Sequence, residues 1–115
     1  MKDLQNTYFP TVKAIKSAAE KLQGIASISP LEEHQRFSDK YHCKMLFKRE
    51  DLQQVRSYKI RGAYNKISSL TKEETKNGIV CASAGNHAQG VALSCQLLKI
   101  KGKIFMPAPT PNQKI

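Results

Sequence analysis

Apolar residues recur at helical spacing near the start of the chain. Val12, Ile15, Ala19 and Leu22 share one face of residues 11–23, lysines fill the other, and Gly24 stands where the helix would end. The spacing predicts an amphipathic helix packed on a partner surface. Residues 25–31 read as a short extended piece stopped by Pro30, and the polar residues 32–40 as a turn or short helix. The run YHCKMLFK, 41–48, fits a core strand, and REDLQQVR, 49–56, a loop.

The second half is more regular. In residues 57–70, Ile60, Ala63, Tyr64, Ile67 and Leu70 form a helical stripe, with Ser57 placed to cap it. Thr71 and Glu74 have the spacing of a capping box opening a short helical turn. GIVCAS, 78–83, is a buried strand. AGNHAQGVALSCQLL is a helix with Val91, Leu93, Leu97 and Leu98 as its apolar residues, and KGKIFMP, 101–107, is a further core strand carrying Phe105. Thr110-Pro111 would open the next helix. Strand, helix, strand with about twenty residues between strands predicts a right-handed parallel βαβ unit. Such a sheet needs helices on both faces, and too few are present. The pattern therefore reads as part of a larger α/β protein.

Composition adds two constraints. The net charge of +10 suggests an acidic partner, but the nineteen Lys and Arg are scattered and no long basic run appears. A small basic nucleic-acid module would want aromatic stacking residues among those charges. Tyr41, Phe47 and Phe105 are instead assigned to core strands, so a nucleic-acid role is disfavoured. Cys43, Cys81 and Cys95 lack any zinc or redox spacing, which points to reduced, mostly buried thiols and a cytoplasmic protein. No apolar run reaches membrane-spanning length, and no metal-ligand set is visible.

Two motifs carry chemistry. SAGNHAQG, 83–90, joins a strand to a helix. Gly85 would allow a tight turn and close approach of a ligand, helix-start N–H groups favour an anion, and Asn86 can hydrogen-bond a polar ring or carboxylate. A turn whose Gly and Asn serve geometry alone fits the same residues. His87, alone at a helix start, is more often a hydrogen-bonding residue than a catalyst. Lys59 falls in a first helical turn between Tyr58 and Ile60. The helix dipole and apolar neighbours there favour the neutral amine needed for Schiff-base chemistry. A snorkelling surface lysine is the plain alternative.

The pairing of KREDLQ…SYKIRGA with SAGNHAQG resembles the fold-type II pyridoxal-phosphate enzymes, and within them the threonine dehydratase (threonine deaminase) family. The resemblance runs from the first helix through SPL to KIFMPAPTPNQK. It implies an α/β fold like the tryptophan synthase β chain, a parallel sheet with flanking helices, of which this is the N-terminal part. Residues 1–70 would belong to the large cofactor domain with the lysine helix, and 71–115 would begin the small βαβ domain.

The resemblance also implies roles. Lys59 would hold pyridoxal 5'-phosphate covalently and serve as the base for the α-proton. Tyr58 would pack on the cofactor ring, and Asn86 would contact its 3' oxygen. Ser83, Ala84, Gly85, Asn86 and His87 would cradle the substrate carboxylate. L-threonine would lose its β-hydroxyl as water, and a second water would then release ammonia to give 2-oxobutanoate for isoleucine synthesis; L-serine would give pyruvate. Serine racemases carry a second serine where Ala84 stands, which favours dehydration over racemisation. The glycine-rich phosphate cradle and the residue facing the pyridine nitrogen would lie downstream. Catabolic serine/threonine dehydratases, threonine synthase, racemases and an inactive piece are the remaining readings. The full-length family members form homo-oligomers.

Overall fold

In the computed structural model, residues 9–110 are described. Thr11 opens α1, Val12–Lys21, by accepting the Ala14 N–H at 3.1 Å. This helix buries no residue, and Val12 and Ile15 are exposed, so the expected packing surface is not found among the described residues.

The strand expected over 41–48 is shorter. Residues Gln35–Tyr41 form α2, closed by His42 in the left-handed region at φ 51°. His34 starts that helix by accepting the Phe37 N–H, and the buried Ser38 hydroxyl accepts the Met45 N–H at 2.9 Å. Those side-chain bonds hold residues 41–45 out of any ladder. What remains is β2, Leu46–Lys48, paired antiparallel with β1, Leu31–Glu33, in the register Leu31↔Lys48 and Glu33↔Leu46. The described residues hold two separate two-stranded sheets, and this one is antiparallel.

The segment read as a loop contains a 3-10 turn, Glu50–Leu52. Next comes α3, Lys59–Ile67. Ser57 does not occupy its N-cap; Tyr58 does, and the Ser57 hydroxyl accepts the Lys59 N–H at 3.4 Å. The Thr71–Glu74 capping box forms as expected and opens α4, Lys72–Thr75. Then follow β3, Ile79–Ala82, α5, Asn86–Leu98, and β4, Gly102–Phe105, with β3 and β4 parallel as predicted. Gly78, at φ +85°, sits where an added Cβ would lie 2.6 Å from the Lys101 carbonyl oxygen. That close approach brings β3 onto β4.

The core lies between α3, α5 and the parallel pair. Ala63, Ile67, Val91 and Cys95 form one buried cluster backed by Ile79, Cys81, Leu98 and Ile100. Val55, Ile60 and Leu93 form another. The other face of the sheet is open: Val80 and Phe105 are exposed, as are Tyr41 and Phe47, so the expected burial of these aromatics is overturned. Apolar alternation marks a face; it does not supply its cover. Cys43 is also exposed, against the expectation of mostly buried thiols; Cys95 is buried and Cys81 half-buried. Among the described residues no helix is long and apolar enough to cross a membrane, and no metal-ligating cluster occurs. Residues 111–115, where a further helix was expected, lie outside the described residues.

Two contacts set the start of α3. Arg61 grips Glu50 with both ends of its guanidinium, Nε to Oε2 and Nη2 to Oε1, each at 2.8 Å. Glu50 also accepts from the Ser29 hydroxyl, and Arg61 Nη2 reaches the Ser27 carbonyl at 3.1 Å. Gln53, 2% exposed, donates to the Ser27 carbonyl at 2.8 Å and accepts the Ser27 N–H at 2.9 Å. The second contact is steric. A Cβ on Gly90 of α5 would lie 3.0 Å from the Lys59 carbonyl carbon and oxygen and 3.2 Å from the Ile60 nitrogen.

Gly90→Ala should gain about 1 kcal/mol of helix propensity but lose ~2 kcal/mol to overpacking, because the opposing atoms are backbone and cannot swing away. A fall in Tm of roughly 5 °C is expected in thermal unfolding. The bond from Arg61 holds the Glu50 carboxyl down at about 2, against 4.5 for a free glutamate, with the Ser29 hydroxyl adding to the effect and burial opposing it. A depressed carboxylate stabilises fully above its unfolded value and loses that contribution as pH falls through the folded one. Glu50 should therefore add about 2 kcal/mol above pH 4.5, lost on acidification toward pH 2. Asp51 and Glu74 are also held low, so the contribution is read as a difference: in acid-unfolding curves, Glu50→Gln should be less stable at pH 7 and converge with wild type near pH 2.

Candidate functional site

A cleft of about 380 Å³ lies between α3, β3 and the start of α5. Lys59 and Lys66 stand two helical turns apart on its α3 wall, with Gly62 between them. Added to Gly62, a Cβ would meet nothing within 4 Å, so this wall is open to an approaching group. Ala63, Ile67, Ile79, Val80 and Val91 make the cleft largely apolar, and His87 stands at its α5 side. Lys59 is half-buried, and its Nζ lies 4.9 Å from the ring centroid of the exposed Tyr58. Each of these positions follows from the chain. Ile60, Ala63 and Ile67 turn one face of α3 into the core, which leaves Lys59, Gly62 and Lys66 along the cleft.

Cys81 also lines the cleft. Burial raises its thiol, and burial together with the neighbouring Cys81 raises Cys95. Both stay protonated at neutral pH, so neither competes as a nucleophile. An amine beside apolar walls suits an aldehyde on a flat aromatic ring, and the residues present fit the ring and aldehyde of pyridoxal 5'-phosphate.

The sequence-derived site residues divide between two cavities. Tyr58, Lys59 and His87 line the cleft. Ser83 and Ala84 line a second cavity of about 400 Å³ with Ala82, Phe105, Met106 and Pro107. Gly85 and Asn86 line neither. Gly85 is the N-cap of α5 at φ −141° and ψ −147°, outside both the usual extended and helical regions. Its Cβ position is open space, which leaves the main chain accessible. No side chain caps α5, and the turn is tied down by the Gly85 N–H donating to Ser83 Oγ at 3.3 Å and the Ser83 N–H donating to the Phe105 carbonyl at 3.0 Å.

Sequence reasoning passed over four supporting residues. Ser29, Glu50, Gln53 and Arg61 form the network behind Lys59. The motif KREDLQ…SYKIRGA carries no sign in the sequence that its acid and its arginine meet. The one local hint was an acid and an amide in a presumed loop, followed by an arginine in an apolar helix.

The family described as pyridoxal-phosphate dependent enzyme matches residues 22–115. The biosynthetic L-threonine dehydratase IlvA of Bacillus subtilis is 55% identical over 104 residues, 90% of this chain and 25% of that protein. Threonine deaminase isoform 2 from Solanum lycopersicum, in its processed form, superimposes with TM-score 0.73 at 42% identity, over 91% of this chain and 30% of that one. Maize serine racemase superimposes with TM-score 0.86 at 32% identity, over 93% and 32%. The chain thus spans about a quarter of the length of the curated relatives it matches. With a lysine-bearing apolar cleft and a family match over most of its length, the chain belongs to the pyridoxal-phosphate dependent enzymes.

Proposed function

We propose that this chain is the lysine-bearing part of a pyridoxal-phosphate dependent threonine dehydratase, an ammonia-lyase acting on L-threonine and L-serine. The observation that carries the reading is Lys59, a half-buried amine on the open wall of an apolar cleft. Relatives named as threonine dehydratases, at 55% identity, support the substrate class.

In this reading Lys59 and Tyr58 hold the cofactor, with Asn86 at its ring oxygen. When bound, the cofactor supplies the electron sink that lets an amino acid's α-proton leave. Lys59 Nζ takes that proton as general base. Ser83 to His87 hold the substrate carboxylate at the start of α5, where the helix dipole favours an anion. The β-hydroxyl leaves as water, and a second water then displaces ammonia, which gives 2-oxobutanoate from threonine and pyruvate from serine.

The assignment of residues 1–70 to the large domain and 71–115 to the small one belongs to the same proposal. The change from an antiparallel to a parallel pair supports it, although α3 and α5 share one core across that boundary. A cytoplasmic enzyme that is a homo-oligomer at full length completes the reading, with no nucleic-acid role. The structural likeness to serine racemase favours a second reading, racemisation. Ala84 argues against it, since a methyl group cannot carry a proton to the second face of the substrate.

The test is a chimera in which this chain replaces the matching quarter of the Bacillus subtilis relative. It should form 2-oxobutanoate from L-threonine, and Lys59→Ala should lower the rate about 10³-fold. A folded chimera that forms no 2-oxo acid would contradict the assignment. With L-serine the product should be pyruvate; substantial D-serine would overturn the dehydratase reading in favour of the racemase one.

A further inference from the structure

We propose that Glu50 and Arg61 are positioning residues that hold Lys59 Nζ at the cleft. This rests on the reading of Lys59 as the cofactor lysine and extends it to the groups that aim it.

Arg61 lies two residues beyond Lys59, so the two side chains leave α3 in different directions. Lys59 faces the cleft, while Arg61 reaches back to Glu50 in the 3-10 turn. The pair is bidentate, a geometry that fixes orientation as well as distance. Glu50 is well enclosed, with its side chain 15% exposed, and that of Arg61 is 35% exposed. A group so placed cannot exchange its partner for water without cost.

The surrounding contacts leave Glu50 little freedom. Arg61 reaches it from α3 and Ser29 from the segment before β1; Gln53 adds weaker contacts at 3.4 Å. Lys48 of β2 donates to the Ser29 carbonyl and so holds Ser29 in place. Arg49 is turned away, bound to Glu32 and Asp51. Gly90 seals the other side, with its α-carbon against the Lys59 backbone. The first turn of α3 is therefore held from two directions, by a charged grip and by close packing. Neither contact touches the lysine side chain. Together they set where that side chain emerges.

The test compares labelling of Lys59 with labelling of Lys66, the internal standard in the same cleft. One reagent is pyridoxal phosphate with borohydride. The other is acetic anhydride, which reports amine reactivity without the cofactor. Glu50→Gln should lower the Lys59:Lys66 ratio about tenfold with both reagents. Glu50→Asp should restore part of it, and Leu98→Ala, which destabilises the core away from the network, should leave it unchanged. If Glu50→Gln does not fold, Arg61→Lys keeps the charge, loses the bidentate grip and should lower the ratio in the same direction.

An unchanged ratio in the folded clamp variants, or an equal fall in Leu98→Ala, would overturn the proposal. Failure of the cofactor reading looks different. Pyridoxal phosphate would then show no preference for Lys59 in the wild type, while the anhydride ratio would still respond to Glu50→Gln.

Discussion

Arg61 and Glu50 sit eleven residues apart, and their two-pronged bond joins parts of the chain that no regular ladder connects. On one side are Ser27 and Ser29 in the extended segment before β1, and the 3-10 turn at Glu50. On the other is the first turn of α3. A carboxylate and a guanidinium taken partly out of water are tolerable only when paired and saturated with further hydrogen bonds. Here Ser29 and Gln53 provide them. The helix α3 has no side-chain cap of its own, so the network ties its first turn to the preceding segments through the Arg61 side chain.

The second determinant is the crossing of α3 and α5. A glycine at position 90 lets the helices meet backbone to backbone at Lys59. The parallel pair β3–β4 then closes the third side through Ile79, Cys81, Leu98 and Ile100. The cleft is what remains between these surfaces. Its chemistry is simple: one enclosed amine, a second lysine two turns away, an imidazole, and apolar walls with a thiol held protonated by burial. The chain that carries it spans about a quarter of the length of its curated relatives.

Much of this was legible before any coordinates. Periodicity found α1, α3 and α5, and β3 and β4 as a parallel pair; the stripe is buried in α3 and α5 and left uncovered in α1. The Thr71–Glu74 box was readable because both its bonds lie within four residues. Tyr41 was misassigned to a strand because α2 is held by His34 and Ser38, whose side-chain bonds leave no periodic trace. Phe47 and Phe105 were expected inside because alternation identifies an apolar face without saying whether anything lies on it. Lys59 and the Ser83–His87 turn stand out in the sequence as paired motifs. Their arrangement was not legible, since division between two cavities depends on how α3 lies across β3. Nor was the Glu50–Arg61 grip, which joins a turn to a helix eleven residues on and leaves only an acid and an arginine as its trace.

The central claim is that Lys59 differs from the other lysines because of where the fold holds it. The direct measurement is to treat the wild-type chain with pyridoxal phosphate and borohydride and map the label over all of its lysines by peptide sequencing. Label concentrated on Lys59 is the predicted result. Label spread over the lysines in proportion to their exposure would contradict the account.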